Sequence, residues 1–258
     1  MTQAIILAAG QGTRLRPITN DRPKCLVPLL GRTLLDRQVD TLNSEGITDI
    51  HIATGYRADQ IEALGLKCSY NDKYETTNMV ESLFSAIEFL RNCKEDLIIA
   101  YGDIIYKREN LRTLINHDDD VNIMIDKNWL ALWSLRLSNP LDDAETLVLN
   151  DNNYIVELGK KPVNYDKIHG QYTGLIKIKA NKIGDFISFY EGLNKQSKYD
   201  GQSFENMYMT SFIQLLINNG WAVKAAIVND GWLEIDSVED LELYQSLVNQ
   251  QHSLLGWI

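Results

Sequence analysis

The residues best suited to chemistry lie near the start of this 258-residue chain. A short apolar run, residues 4–9, stops at Gly10, and Gln11, Gly12, Thr13, Arg14, Leu15 and Arg16 follow. Lys24 stands beyond them. Glycine has no Cβ, so a loop built on Gly10 and Gly12 can take positive φ and come close to a ligand. Its N–H groups can point at phosphate oxygens. From Arg14 to Arg37 there are six Lys or Arg (14, 16, 22, 24, 32, 37) against Asp21 and Asp36. That local positive surplus sits in a chain of formal charge −10. It fits a small polyanion, and a nucleoside triphosphate is the obvious candidate. The plainer alternative is a tight turn after a strand. The string is neither of the two common phosphate loops. Leu15 replaces the third glycine of the dinucleotide fingerprint, and no Gly-Lys-Ser/Thr follows.

Asp103 is the next candidate. It follows an almost purely apolar run, Asp96–Tyr101, and Gly102. An acid just past the carboxyl end of a parallel strand projects into the crevice where ligands bind. Capping a turn is its plainer use. Asp236 ends the string Gly231-Trp-Leu-Glu-Ile-Asp. Ser237 and Asp240 have capping-box spacing, and Asp236 as part of that cap is the alternative. No Ser, Cys or His has a paired base in a known motif, so covalent catalysis has no support.

These residues need a scaffold. Apolar runs at 4–9, 48–54, 66–70, 96–101, 121–125 and 221–228 read as strands. Helical spacing marks 33–45, 57–64, 78–91, 181–192 and 204–219. Strand–helix alternation implies parallel crossovers. Asn78 and Glu81 have capping-box spacing at one helix start. Residues 139–153 are turn-rich, two strands at 145–149 and 154–158 flank the second turn, and 171–179 is a further strand. The expected fold is α/β, with a mixed, mainly parallel central sheet in one unit over 1–258. The length fits one large α/β domain.

Composition narrows the class. Hydrophobic content is 45% and charged content 23%, as in ordinary globular proteins. No apolar run approaches a membrane helix. The acidic balance argues against nucleic acid as a partner. Met1-Thr-Gln leads straight into the first strand, so no signal peptide is expected. Cys25, Cys68 and Cys93 form no metal or disulfide pattern and suit a reducing cytoplasm.

The full string Leu7-Ala8-Ala9-Gly10-Gln11-Gly12-Thr13-Arg14-Leu15-Arg16-Pro17, with Arg22-Pro-Lys-Cys-Leu-Val-Pro28, closely resembles the signature of nucleotidyltransferases that make nucleoside-diphosphate sugars and CDP-linked small molecules. The resemblance runs in order from residue 4 to about 245. It implies a Rossmann-like fold and attack by an acceptor phosphate on the α-phosphorus of a triphosphate. Residues 7–10, Gly12 and Thr13 would surround the nucleotide, Arg14 would bind its β and γ phosphates, and Lys24 would stabilise the α-phosphate. Asp103 and Asp236 resemble the family's aspartates for Mg²⁺.

The branch is read from three further places. Residues 75–83 lack the Gly-x-Ala of the hexose-1-phosphate members and resemble the phosphocholine-type cytidylyltransferases, which implies CTP and puts Asn78 and Ser82 near the base. Trp129 and Trp133 share a helical face, as a core stripe or as one wall of an acceptor pocket. That pocket would also use Tyr172, Trp232 and Glu234. Lys160 or Lys161, in a string resembling the family's basic motif, would meet the acceptor phosphate; a solvated turn is the alternative. Aromatic faces and a carboxylate suit an amine. L-glutamine phosphate is favoured because length and overall similarity lie nearer the capsule cytidylyltransferases; phosphocholine comes next. Arg136 is the candidate reader of a glutamine carboxylate. A hexose-1-phosphate uridylyl- or thymidylyltransferase and a non-catalytic nucleotide sensor of the same fold are the rivals.

Overall fold

The computed structural model describes residues 2–258. Seven strands form the central sheet: β1 (Thr2–Ala8), β2 (Ile50–Thr54), β3 (Lys67–Tyr70), β4 (Asp96–Tyr101), β5 (Val121–Asp126), β6 (Gln171–Ile178) and β7 (Val223–Val228). Their order is β3-β2-β1-β4-β6-β5-β7. β6 runs antiparallel to both its neighbours, and every other pair is parallel. The sheet is therefore mixed and mainly parallel, as expected.

β1 shows why the strands are apolar throughout. Ala4, Ile6 and Ala8 enter one core cluster, and Ile5 and Leu7 enter the other. Alternate residues face opposite layers, and both layers are covered. Helices Leu34–Ser44, Arg108–Asn116 and Val238–Asn249 cover one face. Helices Met79–Phe84, Ile183–Glu191 and Met209–Asn218 cover the other.

The expected helix 78–91 is broken. Met79–Phe84 and Ile87–Asn92 are separate helices. The Ser85 hydroxyl bonds the Ser82 carbonyl at 2.7 Å, and the Ala86 N–H reaches back only to Leu83. These side-chain and short-range bonds compete with the helical ladder. The capping box at Asn78 is absent as well. The Asn78 carboxamide oxygen accepts from Met79 N–H, while Glu81 accepts from the Tyr190 hydroxyl. The apolar tail packs onto the chain's own core, with Leu255 fully buried. Among the described residues no helix is long and apolar enough to cross a membrane.

Candidate active site

After β1 the chain goes to β2 on one side, and β4 lies on the other. The carboxyl ends of β1 and β4 thus form a topological switch point, where open α/β sheets bind ligands. A cavity of about 130 Å³ opens there. Leu7 and Ala8 line it from the end of β1, Ala9 and Gly10 from the loop just past it, and Gly102 and Asp103 from just past β4. A Cβ on Gly102 would stand 2.7 Å from the Leu7 carbonyl oxygen, so only glycine lets the chain turn there and deliver Asp103.

The loop after β1 is held from within. Gly12 has φ 62°, in the left-handed region. Thr19 donates to its carbonyl at 2.7 Å. A Cβ on Gly12 would meet the Lys24 Cβ at 3.0 Å. Gly12 and Thr13 line neither cavity of the site; they shape the loop that does. The positive φ expected of Gly10 is not found, and that residue faces open space. Leu15 is buried and anchors the single turn Thr13–Leu15 that carries Arg14.

Asp236 reaches Asp103 through a small ribbon. Strand Trp232–Glu234 pairs antiparallel with Ile104–Tyr106, and Ile235 N–H bonds the Asp103 carbonyl at 3.1 Å. Ser237 and Asp240 form the capping box of the last helix. The Asp236 carboxylate takes no part in that cap and turns to the basic residues. Lys24 Nζ donates to Asp103 at 2.6 Å and to Asp236, and Arg14 lies 3.1 Å from Asp236. Burial opposes the charge on Lys24, but the two carboxylates outweigh it and hold the ammonium above its ordinary pKa. Burial likewise opposes ionisation of Asp236, and Lys24 and Arg14 outweigh it.

A second cavity of about 270 Å³ adjoins the first, and Asn78 and Met79 line both. Trp133, Tyr172, Glu234 and Asp236 line it. Asp143 and Glu145 add two acids, and no Lys or Arg lines it. Sequence reasoning missed Glu145, reading it only as the first residue of the strand expected at 145–149; the structure begins that strand at Leu147. Burial first, then Asp143, push its carboxyl up to about 7.

Several expected site residues lie elsewhere. Trp129 is buried and lines neither cavity; its ring packs against Trp133 and Tyr165. The tryptophan pair therefore splits, one ring in the core and one at the wall. Trp232 is buried as well, stacked on Trp133 with its indole N–H on the Thr173 carbonyl. Lys160 is mostly exposed and pairs with Glu157, and Lys161 holds the Leu141 and Asp142 carbonyls. Neither lines a cavity, which is the solvated-turn alternative. Arg136 is buried against Glu234 at 2.6 Å and Asp240 at 2.8 Å. Its guanidinium is already committed, and so is much of the Glu234 carboxylate.

The donor set fits magnesium, which favours one or two carboxylates with phosphate oxygens and water. Asp103 and Asp236 converge on one point, that of the Lys24 ammonium. No group of three or more His, Cys, Asp or Glu converges in this way among the described residues, so an all-protein cage is not what this site offers.

The model for the MobA-like NTP transferase domain matches residues 4–145. The CTP:phosphoglutamine cytidylyltransferase of Campylobacter jejuni is 44% identical over 248 residues, which cover 93% of this chain and 98% of that one. The choline-phosphate cytidylyltransferase of Streptococcus pneumoniae is 44% identical over 94 residues, 35% of this chain and 41% of its own. The inositol-1-phosphate CTP transferase of T. maritima superposes with a TM-score of 0.74 at 23% identity, covering 97% of each chain. That last likeness shows the fold.

Proposed function

The chain belongs to the MobA-like NTP transferases, and within that family we propose that it transfers CMP from CTP to a small amine-bearing phosphate monoester, L-glutamine phosphate ahead of phosphocholine, releasing pyrophosphate. The near full-length match at 44% identity carries this reading. A hexose-1-phosphate acceptor is disfavoured because the second cavity is acidic and without a basic lining residue. That lining suits an ammonium group.

The chemistry is in-line displacement at phosphorus, which asks for positioning and charge neutralisation rather than a protein nucleophile. The nucleotide occupies the first cavity and the acceptor the second. The acceptor phosphate meets the α-phosphate where the two cavities adjoin, beside Asp103, Asp236 and Lys24. Arg14, on its exposed turn, takes the β and γ phosphates. Lys24 exchanges its carboxylate partners for the α-phosphate and stabilises the charge that develops there. Mg²⁺ held by Asp103 and Asp236 would supply further charge neutralisation between the two phosphates.

A matrix of CTP, UTP and dTTP against L-glutamine phosphate, phosphocholine and glucose 1-phosphate, read by pyrophosphate release, tests the reading. The highest kcat/KM is expected for CTP with L-glutamine phosphate. A higher value with phosphocholine would exchange the two acceptors. Turnover confined to glucose 1-phosphate would overturn the reading.

A further inference from the structure

Two aliphatic hydroxyls line the nucleotide cavity, those of Thr77 and Ser82; the third hydroxyl of the lining, that of Tyr74, donates to Glu75. Charge in that lining is confined to Lys24 and Asp103, so the uncharged part is where a base would lie. Both hydroxyls are tied to Asn71, a buried residue one step past the end of β3. The Asn71 carboxamide oxygen accepts from the Lys73 backbone N–H at 3.0 Å. A backbone N–H can only donate, so this bond fixes which end of the carboxamide is oxygen. The other end is the NH₂, and its two protons go to Thr77 Oγ1 and Ser82 Oγ, each at 3.0 Å.

The polarity of both hydroxyls follows. Thr77 gives its own proton to the Lys73 carbonyl at 2.9 Å. Ser82 gives its proton to the Asn78 carbonyl at 3.3 Å. A carbonyl can only accept, so neither proton is free. A hydroxyl has one proton and two lone pairs. Each hydroxyl has received one bond and made one, which leaves one lone pair and no donor.

We propose that Asn71 sets the base preference of the site by locking Thr77 and Ser82 as acceptors, so that the cavity wall takes a pyrimidine with a 4-amino donor and rejects one with a 4-oxo acceptor. This rests on the nucleotidyltransferase reading and gives its CTP preference a cause. Cytosine presents N4–H₂ where uracil presents O4. Uracil would set a lone pair against a lone pair, and the hydroxyl could relieve it only by breaking its bond to a carbonyl. Asn78 has the opposite polarity, because its carboxamide oxygen is bound to Met79 N–H. It sits where the two cavities meet and offers a donor there.

The test varies the ligand before the protein. CTP, UTP and the triphosphate of pyrimidin-2-one riboside, which lacks the 4-amino group, are compared by kcat/KM, and by calorimetric binding without acceptor. The expected order is CTP, then the pyrimidinone, then UTP, with CTP ahead of UTP by roughly 10²–10⁴-fold. Ser82→Ala should shrink the CTP/UTP ratio about tenfold, the loss of one hydrogen bond. Asn71→Ala frees the hydroxyls to rotate and should raise the UTP rate relative to CTP; the analogue series needs no variant and stands if this one does not fold. Pyrimidinone binding as tight as CTP, or an unchanged ratio in Ser82→Ala, would overturn the lock. If CTP is still preferred, the cytidylyltransferase reading survives it. Equal binding of CTP and UTP would remove both.

Discussion

Lys24 Nζ lies 2.6 Å from Asp103 Oδ2, although 79 positions separate the two residues. One stands on a loop after β1 and the other just past β4, and the pairing of those strands brings them together. Lys24 is a side chain whose bonds are with acids but whose proposed partner is a phosphate. Lys24→Ala should therefore lower kcat by roughly 10²–10³-fold, as loss of one oxyanion-type donor does. CTP should still bind through Arg14 and the loop. A variant with intact kcat and a raised KM would move Lys24 from the reaction step to binding.

Asp103→Asn and Asp236→Asn test the metal. Each keeps its side-chain volume but weakens the pair of carboxylates that converges on Lys24. Magnesium-dependent kcat should fall by several orders of magnitude in each, with little change in thermal stability. The apparent Mg²⁺ affinity, from titration of activity, should fall as well. Near-normal magnesium-dependent turnover in either variant would defeat the assignment.

Much of this site was legible because it lies at the ends of buried strands. A strand covered on both faces must be apolar along its length, so the point where polar residues resume, at Gly10 or at Gly102, is visible. Asp103 stands one residue past such a point, whereas Lys24 and Asp236 were legible only within longer strings that resemble the family's signature. The tryptophans misled because two residues four apart share a helical face, yet that face meets both core and cavity. Spacing alone does not say which ring looks where. Arg136 misled for a different reason. Its partners Glu234 and Asp240 lie about a hundred positions away, and only the last ribbon and helix bring them to it. Asn71 gave no signal, because its role is to orient other hydroxyls and it has no motif of its own.

Arg136 gives the third prediction. Its side chain is only 4% exposed and holds Glu234 and Asp240 together. Removing one partner of a buried ion pair leaves the others uncompensated, at a cost of about 3–5 kcal/mol. Arg136→Met should lower the unfolding free energy from denaturant titration by about that amount, with both acceptors equally affected. A variant of normal stability that lost affinity for L-glutamine phosphate alone would restore Arg136 as the reader of the acceptor's carboxylate.

Glu145 gives the last, through pH. Its carboxyl is raised from an ordinary 4.5 to about 7, first by burial and then by Asp143, with Asp200 adding to this and the Thr210 hydroxyl opposing it. The folded protein thus holds the proton more tightly than the unfolded chain does. Its contribution to stability is fully present below about pH 4.5 and is lost as pH rises to about 7. The loss is on the order of 1–3 kcal/mol, since one pK unit is about 1.4 kcal/mol and the site opens to solvent. Glutamine keeps the shape and cannot ionise. Glu145→Gln should therefore flatten the fall in Tm between about pH 5 and pH 7, leaving the variant more stable than the parent chain at neutral pH. Bound L-glutamine phosphate should reverse that order, because its ammonium favours the ionised glutamate and has less to gain from a glutamine. Parallel Tm curves for the two proteins across this range would show that Glu145 is not raised, and an unchanged KM for the acceptor in the variant would take the carboxylate out of amine recognition.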